Sequence, residues 1–279
     1  MAGAPRLFDR ALAAQRAARA SRAEPSILAR TLAAELTARL ALVRRRFRRV
    51  CLIATEPAAI AAELTAGGQV DEVEQRLPAA EDDLKLTAER HDAVFSVLDL
   101  HIVNDVPGAL IQMRKTLKPD GLLMACLFAG DTLSELRQSW LAAETRVAGG
   151  VSPRVAPMAD VRELGGLLQR AGLALPVADL DRMSVRYADP LALMREIKAL
   201  GLSNLLHGRD RRMVSRRLLT AAVDHYRRNF SDPDGRVRAS VEIAWLTGWA
   251  PHASQQQPLK PGSASARLAD ALRVEEKKL

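Results

Sequence analysis

The sequence contains few cysteines and no long apolar run, and each absence excludes a class of protein. The only cysteines among its 279 residues, Cys51 and Cys126, lie far apart, which excludes a disulfide framework and a CxxC metal clip. No apolar run approaches the roughly 20 residues needed to cross a bilayer, and the N-terminus has no apolar signal core. We therefore expect a soluble protein of a reducing compartment, the cytoplasm of a bacterium or the mitochondrial matrix of a eukaryote, with at most peripheral membrane association.

Two catalytic signatures are also missing. The sequence has no GxSxG elbow and no cysteine nucleophile with supporting residues, which argues against hydrolase chemistry. Its five histidines form no compact pair with a carboxylate at metal-ligand spacing. We therefore predict no metal site.

A basic cluster accompanies the formal net charge of +8. Residues 44–49 (RRRFRR) lie between a predicted helix and a predicted strand, and cations at a helix C-terminus are favourable and remain solvated. Because no nucleic-acid-binding motif accompanies the cluster, we expect a solvated surface and no specific nucleic-acid partner.

Short apolar runs alternate with helical periodicity over the first half of the chain. Strand-like runs cover residues 50–54, 70–73, 93–98 and 122–128, and helical patterns cover 28–43, 58–66 and 107–117. This alternation predicts an α/β fold with a doubly wound, mostly parallel sheet, in which ligands bind at the carboxyl ends of the strands.

Longer helices are predicted after residue 130. They cover 132–147, 159–171, 190–200 and roughly 210–230, and two strand candidates, 182–187 and 236–246, would extend the sheet as an antiparallel edge. The predicted organisation is an N-terminal helical segment (1–49), an α/β domain (50–250) with a helical insertion of about 132–228, and a tail (251–279). The tail is rich in Gln, Pro, Ser and Lys, a composition typical of flexible segments.

Motifs in the second half of the chain resemble a known family. Residues 99–107 (DLHIVNDVP) and 117–121 (LKPDG) look like the fourth-strand region of class I S-adenosylmethionine-dependent methyltransferases, which have a Rossmann-like fold. Residues 128–137 (FAGDTLSELR), 149–153 (GGVSP) and 247–249 (TGW) resemble the mitochondrial complex I assembly factor family, methyltransferase-fold proteins described as hydroxylating an arginine of a complex I subunit. The resemblance implies this fold with extra N-terminal and C-terminal helices, and a respiratory complex I subunit as protein partner. Because residues 7–10 (LFDR) share it, we do not expect a transit peptide.

The sequence departs from this fold where a methyltransferase binds its cofactor. The loop after the first strand normally reads Gly-x-Gly-x-Gly, which lets the backbone approach the methionine part of S-adenosylmethionine. Here Ala54, Glu56 and Ala58 occupy the likely glycine positions, Pro57 removes a backbone donor, and Glu56 adds a negative charge. We therefore expect a degenerate or repurposed pocket in which S-adenosylmethionine binding is weak or absent.

Acidic residues near the second strand are the remaining cofactor candidates. Glu72 or Glu74 is positioned to meet the ribose hydroxyls, and Asp82, Asp83 and Leu84 are candidates for the adenine edge. The alternative is that these carboxylates are solvated surface groups.

Polar residues after the central strand are candidates for the ligand crevice. His101, Asn104 and Asp105 follow the predicted strand 93–98, and ligand-binding groups lie at this end of a parallel strand. Asn104 or Asp105 would alternatively cap the next helix, and we favour that role for Asp105. His101 remains a catalytic candidate.

A second polar group follows the next strand. Asp131 and Glu135 would present two carboxylates to the crevice, and paired carboxylate oxygens suit the guanidinium of a substrate arginine. Thr132 would begin the following helix and line the crevice. Asp131 and Glu135 therefore join His101 as catalytic candidates.

Three functions are consistent with these patterns. The first is an assembly-factor-type protein that modifies or holds a respiratory-chain subunit, with weak or absent methyl transfer. The second is an active class I methyltransferase on a carrier-bound acid or a protein, similar to the malonyl-carrier methyltransferases. The third is a noncatalytic assembly scaffold, because one fold supports many activities.

Overall fold

The computed structural model describes residues 6–256, and six of its segments are strands of one sheet. The strands are β1 (Phe47–Ala54), β2 (Val70–Arg76), β3 (His91–Val97), β4 (Leu117–Phe128), β5 (Ala174–Tyr187) and β6 (Val237–Trp249). Their order is β2-β1-β3-β4-β6-β5. Strands β1 to β4 pair in parallel, whereas β6 pairs antiparallel with both β4 and β5. The predicted doubly wound sheet and its antiparallel edge are confirmed.

Helices follow or connect the strands. They are α1 (Arg10–Ala20), α2 (Ile27–Ala41), α3 (Pro57–Ala66), α4 (Val106–Thr116), α5 (Ser134–Val147), α6 (Val161–Arg170), α7 (Pro190–Ala199) and α8 (Arg216–Phe230). Side-chain oxygens that accept from free backbone N–H groups begin several of them, Ser26 at α2 and Asp160 at α6 among these. Within residues 6–256, no helix has the length and apolar character to span a bilayer.

The central strands are buried because helices cover both faces of the sheet. Leu36 of α2 and Ile60 of α3 pack on one face with Phe95 of β3. Met113 of α4 and Leu168 of α6 pack on the other. This two-sided cover explains why β3 and β4 are continuous apolar runs in the sequence.

Several elements begin elsewhere than predicted, and strand β4 starts at Leu117 instead of 122. Strand β5 starts at Ala174, eight residues before the predicted 182, and α8 starts at Arg216 instead of 210. Helix α5 starts at Ser134, after Leu133 in a left-handed conformation. The start of β5 contains Pro176, which weakens a strand signal but is tolerated because β5 is an edge strand. The predicted flexible tail lies, from residue 257 on, outside the described residues.

The basic cluster of residues 44–49 is largely paired with acidic residues. The pairs are Arg45 with Asp120, Arg46 with Asp71 and Arg49 with Glu72, at 2.9, 2.6 and 3.1 Å. All three lie at least partly in solvent, as the sequence predicts for a surface cluster.

Candidate functional site

The N-terminal segment lies across the edge of the sheet where ligands bind in this fold. Its backbone pairs with the loop after α7, where Asp9 N–H donates to the Leu205 carbonyl at 2.9 Å and His207 N–H donates to the Leu7 carbonyl at 2.8 Å. Asn104 holds the same segment, since its Oδ1 accepts from Phe8 N–H at 2.8 Å and its Nδ2 donates to the Phe8 carbonyl. The Asn104 side chain therefore holds the N-terminal segment. It is not free to bind a ligand in the crevice, which was its predicted role.

Loop 54–58, which replaces the glycine-rich loop, is tied to the start of α2. The Glu56 carboxylate accepts from Ser26 Oγ at 2.7 Å and from Ser26 N–H at 3.2 Å. Ala54 is buried, Pro57 begins α3 and Ala58 is exposed. The cavity beside this loop holds only about 20 Å³, which is room for little more than one water molecule.

The other cofactor candidates do not converge on this loop. The Glu74 carboxylate turns toward the start of β3, where it contacts His91 Nε2 at 3.1 Å and Arg90 Nε at 3.4 Å. Asp83 is exposed and accepts from the Lys85 N–H in a turn, while Leu84 is buried in the core against α4. The structure thus differs from the expectation for these three residues, because Glu74 satisfies a buried histidine and Leu84 fills apolar space.

A buried ion pair lies at the carboxyl end of β3. Arg10 Nη1 contacts Asp99 Oδ1 at 2.9 Å, and their side chains are 4% and 0% exposed. Burial raises the pKa of the Asp99 carboxyl, although the nearby Arg10 charge acts to lower it. Asp99 Oδ2 and Arg10 Nε and Nη2 have no hydrogen-bond partner among the described residues. The pair fixes α1 over the end of the central strand.

His101 and Asp105 have separate roles. Asp105 Oδ1 accepts from Gly108 N–H at 2.8 Å, which confirms the predicted cap of α4. The His101 ring lines a large cavity and meets the Phe128 ring edge-on, with centroids 4.9 Å apart. Enclosure by the protein lowers the pKa of His101 to about 3, helped by the Arg10 charge. At neutral pH this ring is therefore uncharged.

The residues after β4 bind β6 instead of presenting two carboxylates to the cavity. Both Glu135 oxygens accept from Ser240, with Ser240 N–H to Oε1 at 3.0 Å and Ser240 Oγ to Oε1 at 2.5 Å. Thr132 Oγ1 accepts from Glu242 N–H at 2.9 Å, and Asp131 is exposed with its N–H toward the Glu242 carboxylate. Of the three predicted residues only Thr132 lines the cavity. The carboxylate pair fails because Glu135 satisfies backbone and hydroxyl donors of β6.

The large cavity, called the chamber below, has a volume of about 450 Å³ and lies over the ends of β4, β5 and β6. Its wall is mostly apolar and comes from the N-terminal segment, α2, α5, α7 and the loops after α5 and α7. The polar side chains that line it are Thr31, His101, Thr132, Arg154, Tyr187, Glu196, Ser203 and Asn204. A volume in the range of roughly 300 to 1,000 Å³ is typical of ligand sites.

Sequence reasoning missed the charged residues of the chamber. Arg154 stacks on the Trp140 ring at 4.6 Å and pairs with Glu144 at 2.7 Å. Burial acts to raise the pKa of Glu144, but hydrogen bonds from Ser152 and Arg154 have the larger combined effect. The pKa of Glu144 is therefore lowered. Glu196 lies on α7, whose capping residue and amphipathic spacing predict a helix but do not indicate that Glu196 faces a cavity. Within the described residues, no group of three or more His, Cys, Asp or Glu side chains is arranged to hold a metal ion.

Comparisons with known proteins agree with the predicted resemblance. A family model described as a methyltransferase domain matches residues 33–125. The mitochondrial arginine hydroxylase NDUFAF5 of Danio rerio is 37% identical over 200 residues, 72% of this chain and 62% of the relative. The malonyl-[acyl-carrier protein] O-methyltransferase of Laribacter hongkongensis is 32% identical over 224 residues, 79% of this chain and 65% of the relative. The chain thus spans less than two thirds of the length of either relative.

A solved structure supports the fold independently. A Bacillus halodurans protein assigned as a methyltransferase superposes with a TM-score of 0.50 at 12% identity, over 78% of this chain and 98% of that one. At this identity the likeness shows the fold alone. The methyltransferase domain match makes S-adenosylmethionine the cofactor to test.

Proposed function

This chain is a class I methyltransferase-like protein related to the mitochondrial arginine hydroxylases, and from that premise we propose that it holds an arginine side chain of a protein partner for modification. The partner suggested by the resemblance is a respiratory-chain subunit. Methyl transfer from S-adenosylmethionine is weak or absent in this proposal.

One observation carries the proposal, which is the contrast between the two cavities at the carboxyl edge of the sheet. The chamber offers about 450 Å³, whereas the space beside loop 54–58 offers about 20 Å³. A protein side chain fits the first, and a nucleoside does not fit the second. These volumes support a substrate site in the chamber and weak or absent cofactor binding beside loop 54–58.

The residues around loop 54–58 do not fit S-adenosylmethionine. Ala and Glu side chains occupy positions where the fold uses glycine, and the Glu56 carboxylate is engaged by Ser26. A carboxylate there would oppose the carboxylate of the cofactor. Arg10 already neutralises Asp99 at the end of β3, so this carboxylate offers no uncompensated charge to a cationic cofactor.

The first experiment measures cofactor binding. Isothermal titration of the full chain with S-adenosylmethionine and with S-adenosylhomocysteine is expected to give no micromolar binding, and an active malonyl-carrier methyltransferase serves as the positive control. Micromolar binding together with methyl transfer to a carrier-bound acid would refute the proposal and favour the second function.

The second experiment identifies what happens to the partner. The chain is used to capture proteins from solubilised respiratory membranes, and the captured subunit is analysed by peptide mass spectrometry before and after incubation. The incubation must supply dioxygen and a two-electron reductant, because inserting one oxygen atom into a C–H bond of arginine consumes both and releases water. Under those conditions a gain of one oxygen atom on an arginine supports modification, whereas capture of a respiratory-chain subunit without any mass change supports the scaffold function. A Met194→Trp variant, in which the larger side chain fills part of the chamber, is expected to lose the capture.

A further inference from the structure

The chamber is an apolar compartment that contains two charged side chains. Of its lining residues, only Arg154 and Glu196 carry charge at neutral pH, because His101 is uncharged there. Charged groups are costly in apolar surroundings unless they are paired. The partners of these two residues therefore decide what the chamber attracts.

Arg154 is already neutralised by the protein. Its Nε and Nη2 both lie 2.7 Å from Glu144 Oε1, and its guanidinium stacks on the Trp140 ring. Glu144 is itself buried and fixed by two hydrogen bonds from Ser152. An anionic ligand would therefore have to compete with an internal carboxylate for Arg154.

Glu196 has no such partner. Within residues 6–256, no Lys, Arg or His nitrogen lies within 4.0 Å of its carboxylate. Its neighbour in the wall is Tyr187, whose pKa is raised by burial, then by the charge of Glu196 and by a hydrogen bond with its carboxylate. The phenol is therefore protonated at neutral pH and neutral itself, which leaves Glu196 as the one charged side chain of this wall without an ionic partner among the described residues.

The surroundings of Glu196 suit a cation on an aliphatic stem. Met194, Ile197 and Leu193 of the same helix line the chamber with Val185 of β5. Methylene groups of a long cationic side chain pack on such a wall while the charged end meets the carboxylate. A guanidinium adds a planar fork of donors that matches both carboxylate oxygens.

We propose that Glu196 is the specificity-determining residue of the chamber and receives the guanidinium of the substrate arginine. This inference rests on the proposed function, because it names the group that recognises the arginine side chain. The proposal also distinguishes this chain from its malonyl-carrier relatives. An acidic substrate would meet the carboxylate of Glu196, and Arg154 is already paired with Glu144.

The test uses three small probes that each carry a short unbranched alkyl stem. They are butylguanidinium, the neutral isostere butylurea and the anion butyrate, and each is titrated at millimolar concentration by ligand-observed NMR. For the wild-type chain we expect butylguanidinium to bind at least tenfold more tightly than butylurea, and butyrate not to bind. The Glu196→Gln variant is expected to bind butylguanidinium and butylurea equally.

Two control variants test whether the preference for butylguanidinium comes from the charge of Glu196. Glu63→Gln removes an exposed carboxylate on α3, and its probe binding is expected to equal that of the wild type. Met194→Trp is expected to weaken butylguanidinium and butylurea together, because it removes space and leaves the charge. Thermal unfolding of each variant verifies that it is folded.

The outcomes separate the inference from the proposed function. Butylguanidinium that binds wild type and Glu196→Gln equally, or that binds neither, overturns the role of Glu196, and so does preferred binding of butyrate. The proposed function is decided by the cofactor titration and by the modification of the captured subunit, which do not depend on these probes.

Discussion

The two halves of the sheet's carboxyl edge have opposite character. Over β1 and β3, Glu56 is bound by Ser26 and Asp99 by Arg10, and the remaining cavity holds about 20 Å³. Over β4, β5 and β6, the chamber holds about 450 Å³ and contains an unpaired carboxylate, Glu196. The first half is closed by contacts within the protein, and the second is open to a ligand.

The difference lies in how the charges of the two halves are paired. Buried charges are tolerated when the protein pairs them, because removing one partner leaves an uncompensated buried charge that destabilises the folded state. A charge that faces an apolar cavity without a partner lowers stability, and such groups concentrate at functional sites. The comparison therefore predicts that substitutions in the closed half affect stability, whereas substitutions in the chamber affect binding.

The largest expected effect is that of Arg10→Met. Removing the guanidinium leaves Asp99 buried and uncompensated, which costs about 3–5 kcal/mol of the free energy of unfolding. Urea unfolding at pH 7 measures it. Arg46→Met is the matched control, since Arg46 forms an equally short pair with Asp71 but is largely exposed, and its substitution is expected to change stability little.

The pH dependence of the same variant gives a second result. Burial already raises the pKa of Asp99, and loss of Arg10 removes the charge and the hydrogen bond that lower it. The folded variant then binds a proton at Asp99 at a pH where the unfolded chain does not, so its loss of stability relative to the wild type shrinks as pH falls from 7 toward 4. A loss that is the same at both pH values would show that Arg10 acts by packing and not by charge.

The missing glycines of loop 54–58 could be recognised in the sequence, but the ion pair that lies beside the loop could not be predicted. Missing glycines are a local signal, and Ala54, Glu56 and Ala58 carry it. The pairing of Arg10 with Asp99 joins residues 89 positions apart, and no periodicity encodes such a contact. The α/β order could be predicted because strand and helix spacing are also local.

The side chains that line the chamber could not be predicted from the sequence either. Glu135 lies in the first turn of α5, where spacing alone cannot distinguish a crevice-facing carboxylate from one that binds β6. Glu196 lies on an amphipathic helix, where a carboxylate usually faces solvent. Its position in the wall of the chamber depends on how α7 packs beside β5, which is tertiary information.

The next effect in size is that of Glu56→Ala. The substitution removes the acceptor of Ser26 N–H and Oγ, and hydrogen bonds to charged groups contribute about 1.5–3 kcal/mol each when buried. Because Glu56 is only half-buried, we expect a loss of about 1–2 kcal/mol in total. Chemical unfolding measures it, with the exposed Glu63→Ala on the following helix as the control.

A triple glycine variant tests whether loop 54–58 alone excludes the cofactor from the half of the sheet edge over β1 and β3. Ala54→Gly, Glu56→Gly and Ala58→Gly together restore the glycine pattern, but Arg10 still covers Asp99. We therefore expect no S-adenosylhomocysteine binding by calorimetry. Measurable binding would mean that the side chains of Ala54, Glu56 and Ala58, and not the N-terminal segment, exclude the cofactor from the half over β1 and β3.

The smallest effect concerns His101, which lies where the closed half meets the chamber. Its folded pKa of about 3 is well below the ordinary value of 6.5, so the unfolded chain binds a proton that the folded protein excludes, and stability is lost as pH falls through 6.5. Between pH 8 and pH 5.5 this loss is about 1.4 kcal/mol, and it hardly depends on how far below 5 the folded pKa lies. His101→Gln removes the contribution, so urea unfolding at both pH values is expected to show a smaller decline for the variant by that amount. Equal declines would mean that His101 is protonated within the folded protein, and the chamber would then contain a second cation beside Arg154.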